Sequence, residues 1–151
     1  PGDFFAEASI VEVSPGNLLM IGNTLTGWYY ASRSSDNGDT WSVPERMNLP
    51  NPKAIGHVRK VPDSNTLVFV SNPSGRKMLA SQVSTDGGYT WNHMKQIEYE
   101  NTVRQFYSPA LYVDDDYAYI AYSDMPNNGW SGGASVRLSK LPWEWFTDAS
   151  N

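Results

Sequence analysis

Apolar residues fall in short runs separated by turn-forming residues, and the runs recur in the same order three times along the chain. The first set lies at 8–13, 18–22 and 28–33, the second at 56–61, 67–71 and 79–84, and the third at 108–113, 117–122 and 135–140. Each run has strand length and is rich in Val, Ile, Leu and Tyr, which predicts β-strands. Pro15-Gly16-Asn17, Pro62-Asp63-Ser64-Asn65 and Asp114-Asp115-Asp116 join the first two runs of each set and predict tight hairpins. A fourth run follows at 42–47 and at 93–98, and the third set ends in Pro142-Trp143-Glu144-Trp145-Phe146. No stretch sustains a helical period. The pattern therefore predicts an all-β chain of three units, at 7–49, 54–100 and 106–147.

A longer motif fixes the period. Residues Ser34-Ser35-Asp36-Asn37-Gly38-Asp39-Thr40-Trp41 and Ser84-Thr85-Asp86-Gly87-Gly88-Tyr89-Thr90-Trp91 both fit S-x-D-x-G-x-T-W, with Asp36 and Asp86 50 positions apart. The chemistry is that of a turn. The Asp carboxylate accepts backbone N–H groups, and Gly38 and Gly88 supply positive φ where the chain reverses. Thr40 and Thr90 open the next strand, and Trp41 and Trp91 are large enough to pin the turn to the sheet. A role for these Asp residues as acids or metal ligands is the alternative, and repetition once per unit argues for scaffold. Four antiparallel strands every 50 residues or so is the unit of a β-propeller blade. Propellers close with four to eight blades, so three blades predict part of a larger ring, closed by further blades of a parent chain or by other copies.

Composition narrows the chemistry. The 151 residues carry 11 Lys plus Arg against 16 Asp plus Glu, a balance that argues against a nucleic-acid footprint. No apolar run reaches membrane-spanning length. The absence of Cys removes disulfides, thiolate metal sites and Cys nucleophiles, and the two His residues, His57 and His93, lie far apart in sequence. No metal and no cofactor is expected. Asp114-Asp115-Asp116 lacks the spacing of a calcium loop and reads as a solvated hairpin tip. The aromatic load, with 6 Trp and 9 Tyr, suits β structure and sugar-facing surfaces. The loop Pro126-Asn127-Asn128-Gly129-Trp130-Ser131-Gly132-Gly133 offers Trp130 either as a sugar-stacking ring or as an ordinary loop tip. The chain opens at Pro1 rather than Met, which points to a processed or excised piece and leaves targeting unread.

The two octets resemble the Asp-box, or BNR repeat, of sialidase-like propellers, and shorter matches extend the resemblance over nearly the whole chain. Phe5-Ala6-Glu7-Ala8-Ser9-Ile10-Val11-Glu12-Val13 followed by Gly16-Asn17-Leu18-Leu19-Met20 is similar to the sialidase stretch that carries a Glu, a strand, a turn and a second strand. Asn72-Pro73-Ser74-Gly75-Arg76 is similar to the segment in which an Arg precedes the next Asp-box. Phe106-Tyr107-Ser108-Pro109-Ala110-Leu111 is similar to the segment of the catalytic Tyr. The resemblance implies a six-bladed ring and an exo-acting glycosidase of terminal sialic acid or a related acidic sugar. It implies Tyr107 as nucleophile, Glu7 as its base, and Arg76 as an anchor for the sugar carboxylate. It also favours an extracellular or secreted setting, although nothing else in the residues bears on the compartment. An expected second arginine is absent, since its place reads Gly22-Asn23-Thr24, and the family's first arginine and acid Asp fall outside this chain. A non-catalytic propeller that binds glycan or protein is therefore the alternative.

Overall fold

The computed structural model describes residues 5–100, 103–127 and 133–148. Among the described residues, eleven strands make three antiparallel sheets, and within each sheet every strand is hydrogen-bonded to the next in sequence. The first sheet holds β1 (Ala6–Ser14), β2 (Asn17–Asn23), β3 (Trp28–Ser34) and β4 (Glu45–Pro50). The second holds β5 (His57–Lys60), β6 (Leu67–Ser71), β7 (Met78–Ser84) and β8 (Asn92–Tyr99). The third holds β9 (Arg104–Val113), β10 (Tyr117–Pro126) and β11 (Ser135–Pro142). These are blades of a β-propeller, packed face to face as an arc. The innermost strands stand side by side, with β5 between β1 and β9.

The third blade differs from the expected four strands. The Pro142-Trp143-Glu144-Trp145-Phe146 run turns into a short helix, α1 (Trp143–Thr147), instead of an outer strand. Aromatic burial drives the change. Phe146 sinks fully into the cluster between the second and third blades, while Trp143 donates its indole N–H to the Asp114 carbonyl at 3.1 Å.

Two hydrophobic layers hold the arc together. Val11, Leu19, Ile21, Tyr29, Met47 and Leu49 of the first blade close on Val58, Leu67 and Phe69 of the second. Val68, Val70, Leu79 and Val83 on its opposite face close on Phe106, Leu111, Ala118, Ile120 and Tyr122 of the third. This explains why β6 is an unbroken apolar run. Side chains alternate across a strand, and β6 is covered on both faces. In β10 burial alternates from Ala118 to Asp124, because only one face meets a neighbour there. The other face of the third blade leaves Tyr112 67%, Val136 76% and Leu138 67% exposed. Among the described residues no helix is long and apolar enough to cross a membrane.

The two octets form the same turn. Asp36 Oδ1 accepts the Ser34 hydroxyl at 2.6 Å and the Thr40 N–H at 2.9 Å, and Oδ2 accepts the Thr40 hydroxyl at 2.5 Å. Asp86 repeats this with Ser84, Thr90 and the Tyr89 N–H. The Trp41 and Trp91 indoles donate to the Gly38 and Gly88 carbonyls at 3.0 and 3.2 Å. Hydrogen bonds from Ser34 and Thr40 hold the Asp36 carboxyl down at about 2. Burial opposes the same effect at Asp86, yet bonds from Thr90, Ser84 and Tyr89 keep it well below the usual carboxylate range. Every oxygen of both carboxylates is engaged by its own turn. The turns also key the blades, since Arg33 of β3 donates to the Gly87 carbonyl at 2.8 Å and stacks on the Tyr89 ring at 3.8 Å.

Candidate functional site

The Asp-box turns and the β1–β2 hairpin share one end of the arc, where the Asn37 N–H donates to the Gly16 carbonyl. Glu7, Arg76 and Tyr107 belong to the other end. Glu7 opens β1 beside the last residue of β2, Asn23, in the Ala6↔Asn23 register. Arg76 lies in the link between β6 and β7, and Tyr107 lies near the start of β9.

Arg76 and Tyr107 meet. The Phe106 N–H donates to the Arg76 carbonyl at 2.5 Å, and the buried Asn72 amide donates to the Phe106 and Met78 carbonyls at 2.7 Å each. These bonds clamp the 72–77 link onto β9. The Arg76 guanidinium then stacks over the Tyr107 ring, 4.7 Å from its centroid. The Tyr107 hydroxyl is turned toward Met125 Sδ. Glu7 stands across the second blade, since β5 separates β1 from β9. Among the described residues Glu7 and Tyr107 share no hydrogen bond. Glu7 Oε2 instead accepts the Asn23 amide at 2.8 Å. Trp130 lies outside the described residues.

The inner strands carry one local distortion that the sequence did not signal. β1 and β9 both shift register, β1 between Ala6 and Ser9 and β9 where Tyr107 pairs with Ser123, whereas β5 runs without a break. At the two bulges Glu7 has φ 50° and Ser108 has φ 52°. A left-handed backbone at a residue other than glycine costs about 1–3 kcal/mol and concentrates at functional sites, as do bulges. One strained position is Glu7 itself, and the other, Ser108, directly follows Tyr107.

Other polar side chains at this end also escaped sequence reasoning. Asp124, 1% exposed, is bracketed by Arg104 and by Arg137, the latter at 2.6 Å. Arg137 also reaches Glu98 at 3.1 Å, and Glu98 accepts the Tyr122 hydroxyl at 2.5 Å. Burial and then the Glu98 carboxylate push the Tyr122 phenol above its ordinary range. This network ties the second blade to the third. Beside Glu7, the Tyr29 hydroxyl donates to the Ala54 carbonyl at 2.7 Å. Burial above all, with the nearby Glu7 charge adding to it, pushes that phenol far up. A weak signal existed for two further amides at this end, Asn23 and Asn72, which each stand two residues beyond the apolar run of a second strand.

With the geometry in view, the chain can be set beside known proteins. The BNR repeat-like domain family model matches residues 6–129. Comparison with curated proteins finds no match. Among solved structures, the Hadza microbial sialidase Hz136 superposes with a TM-score of 0.73 at 21% identity, covering 94% of this chain and 28% of the other. A variant of the NanB sialidase from Streptococcus pneumoniae gives 0.70 at 16% identity, with 89% and 23% covered. An α-L-arabinanase from Penicillium chrysogenum, complexed with arabinobiose, gives 0.63 at 19% identity, with 94% and 48% covered. The chain thus spans between about a quarter and a half of the length of these structures, and the likeness is one of fold. The repeated turns, the arc of blades and the family match together place this chain in the BNR repeat-like domain family, on a fold it shares with the sialidases above.

Proposed function

We propose that the chain contributes Tyr107, Glu7 and Arg76 to the site of an exo-acting glycoside hydrolase of sialidase type, which releases terminal sialic acid or a related acidic sugar. The observation that carries the reading is the Arg76 guanidinium stacked on the Tyr107 ring. A guanidinium able to grip a carboxylate thus lies against a phenol, beside a bulge that strains the backbone. The substrate carries a carboxylate on its anomeric carbon, which would repel an anionic nucleophile at close range. A neutral phenol avoids that repulsion, but it is a weak nucleophile near neutral pH and needs a base. In the proposed step Glu7 takes the phenolic proton as the Tyr107 oxygen bonds to the anomeric carbon. The glycosidic C–O bond breaks, and an acid from outside this chain protonates the leaving oxygen. Water then displaces Tyr107, giving net retention. Arg76 holds the sugar carboxylate through paired N–H donors. Trp130 is proposed, from the sequence alone, as a further sugar contact. The exposed face of the third blade is proposed to meet further blades, from the parent chain or from other copies. No metal or cofactor enters the scheme.

The test is a fluorogenic sialoside assay of the complete protein against Tyr107→Phe. Loss of turnover by a factor of about 100 or more, with the fold retained, is expected. Unchanged turnover would remove Tyr107 from the mechanism. One observation favours a second reading, a glycan-binding propeller without turnover. The place where the resemblance calls for a second arginine reads Gly22-Asn23-Thr24, and the Asn23 amide there is committed to Glu7. Glycan binding by a protein with no turnover would favour that reading.

A further inference from the structure

We propose that Asn23, oriented by Asn51, is the positioning residue that aims the Glu7 carboxylate; the inference rests on the role given to Glu7 above. The polarity of the relay is set at its far end. A backbone N–H can only donate, so the Asn51 atom 2.8 Å from the Ala54 nitrogen is the carbonyl oxygen. Asn51 Nδ2 therefore points the other way and donates to Asn23 Oδ1. That leaves Asn23 Nδ2 as the group facing Glu7, 2.8 Å from Oε2. Ala54 is held from its other side as well, because its carbonyl accepts the Tyr29 hydroxyl. Both amides are buried, Asn51 at 0% and Asn23 at 6% exposure, so neither can turn over without leaving a buried polar atom unpaired.

The consequence falls on Glu7. Its backbone sits in the left-handed region and its side chain is exposed, so packing does not hold the carboxylate. The Asn23 donor does. That bond occupies Oε2 and leaves Oε1 to receive a proton. The same two residues would serve a purely structural role if all they did were to fill the corner between β2 and the 51–56 link. The two roles differ in whether donor polarity matters.

Asn23→Asp separates them, because it keeps the shape and reverses the polarity. In the complete protein, kcat for a fluorogenic sialoside is expected to fall about tenfold or more in Asn23→Asp at neutral pH, with KM within about twofold. The ratio of variant to wild-type activity is expected to rise as pH is lowered and the new carboxyl gains a proton to donate. Asn23→Leu is expected to lose activity at every pH without that recovery. A ratio of one, or one flat with pH, overturns the proposal. Glu7→Gln serves as the control: full activity there sinks the reading of Glu7, whereas a dead Glu7→Gln beside an unaffected Asn23→Asp sinks only the positioning role. NMR of selectively labelled protein reads the same point without turnover. Glu7 side-chain couplings are expected to report one rotamer in the wild type and averaging in Asn23→Leu, and identical couplings in both would overturn it.

Discussion

Replacing Gly88 with Ala asks how much the second Asp-box turn contributes to blade-to-blade packing. Gly88 has φ +84°, where an Ala costs about 1–2 kcal/mol. Its new methyl would also drive into Leu19 Cδ2 of the first blade and stand 3.4 Å from Trp91 and 3.5 Å from Leu67. Leu19 is completely buried, and forcing extra volume into a packed layer costs roughly 1–3 kcal/mol more. The sum, about 2–5 kcal/mol, is a large share of the stability of an ordinary domain. Two neighbours separate the components. Gly87 has φ +74° with open space around the added methyl, so Gly87→Ala carries the conformational cost alone. Gly38 has φ +94°, and its added methyl would lie 3.2 Å from Leu18 Cδ1 within its own blade. Leu18 is only half-buried and can yield, so Gly38→Ala falls between the other two. Urea denaturation of the three variants at matched slope gives the order directly. If Gly88→Ala proves no worse than Gly87→Ala, the methyl meets no resistance, and the turn does not lock the first two blades together.

Acid should weaken the fold through the same turns. Asp36 sits at about 2 in the folded chain and Asp86 is also held low, both below the unfolded value of roughly 3.9. A depressed folded value means the stabilisation is present above about pH 4 and is lost as pH falls toward 2. Melting temperature is therefore expected to drop across that window, and to drop less in Asp36→Asn, which already lacks the charge; an equal drop would contradict the assignment. Asp124→Ala leaves Arg104 and Arg137 without their shared acceptor. A loss of roughly 1.5–3 kcal/mol in denaturation is expected, less than for a fully buried pair because both arginines keep some water. A loss under about 0.5 kcal/mol, the size of an ordinary surface change, would mean that these ion pairs do not hold the third blade together.

What the sequence made legible was whatever repeats or alternates. The S-x-D-x-G-x-T-W octets announced the turns because their residue types have local jobs, but Thr40 and Thr90 do not open the next strand as expected: their hydroxyls hold the Asp carboxylates inside the turn, and the strands begin at Glu45 and Asn92. The all-β class followed from strand-length runs, since β-branched and aromatic residues on a pleated surface leave a period-two trace. The third blade's end was misread for a physical reason. Pro142-Trp143-Glu144-Trp145-Phe146 has the composition of a strand, but burying Phe146 against the second blade called for a helical turn. Tertiary packing overrode local propensity there. The polar groups around Glu7 and Asp124 were out of reach for a different reason. Asn23 and Asn51 are 28 residues apart, and Asn51 meets Asn23 only after the 51–56 link folds back. Register shifts likewise leave no trace in composition, so the strained Glu7 and Ser108 could be found only in coordinates.

The central claim is that Tyr107 attacks the sugar. A fluorinated sialoside that glycosylates its nucleophile quickly and departs slowly, followed by peptide mass mapping of the complete protein, tests this most directly. The account predicts a sugar adduct on the peptide carrying Tyr107, absent from Tyr107→Phe. An adduct on a carboxylate such as Glu7, or steady turnover with Tyr107 never labelled, would contradict it.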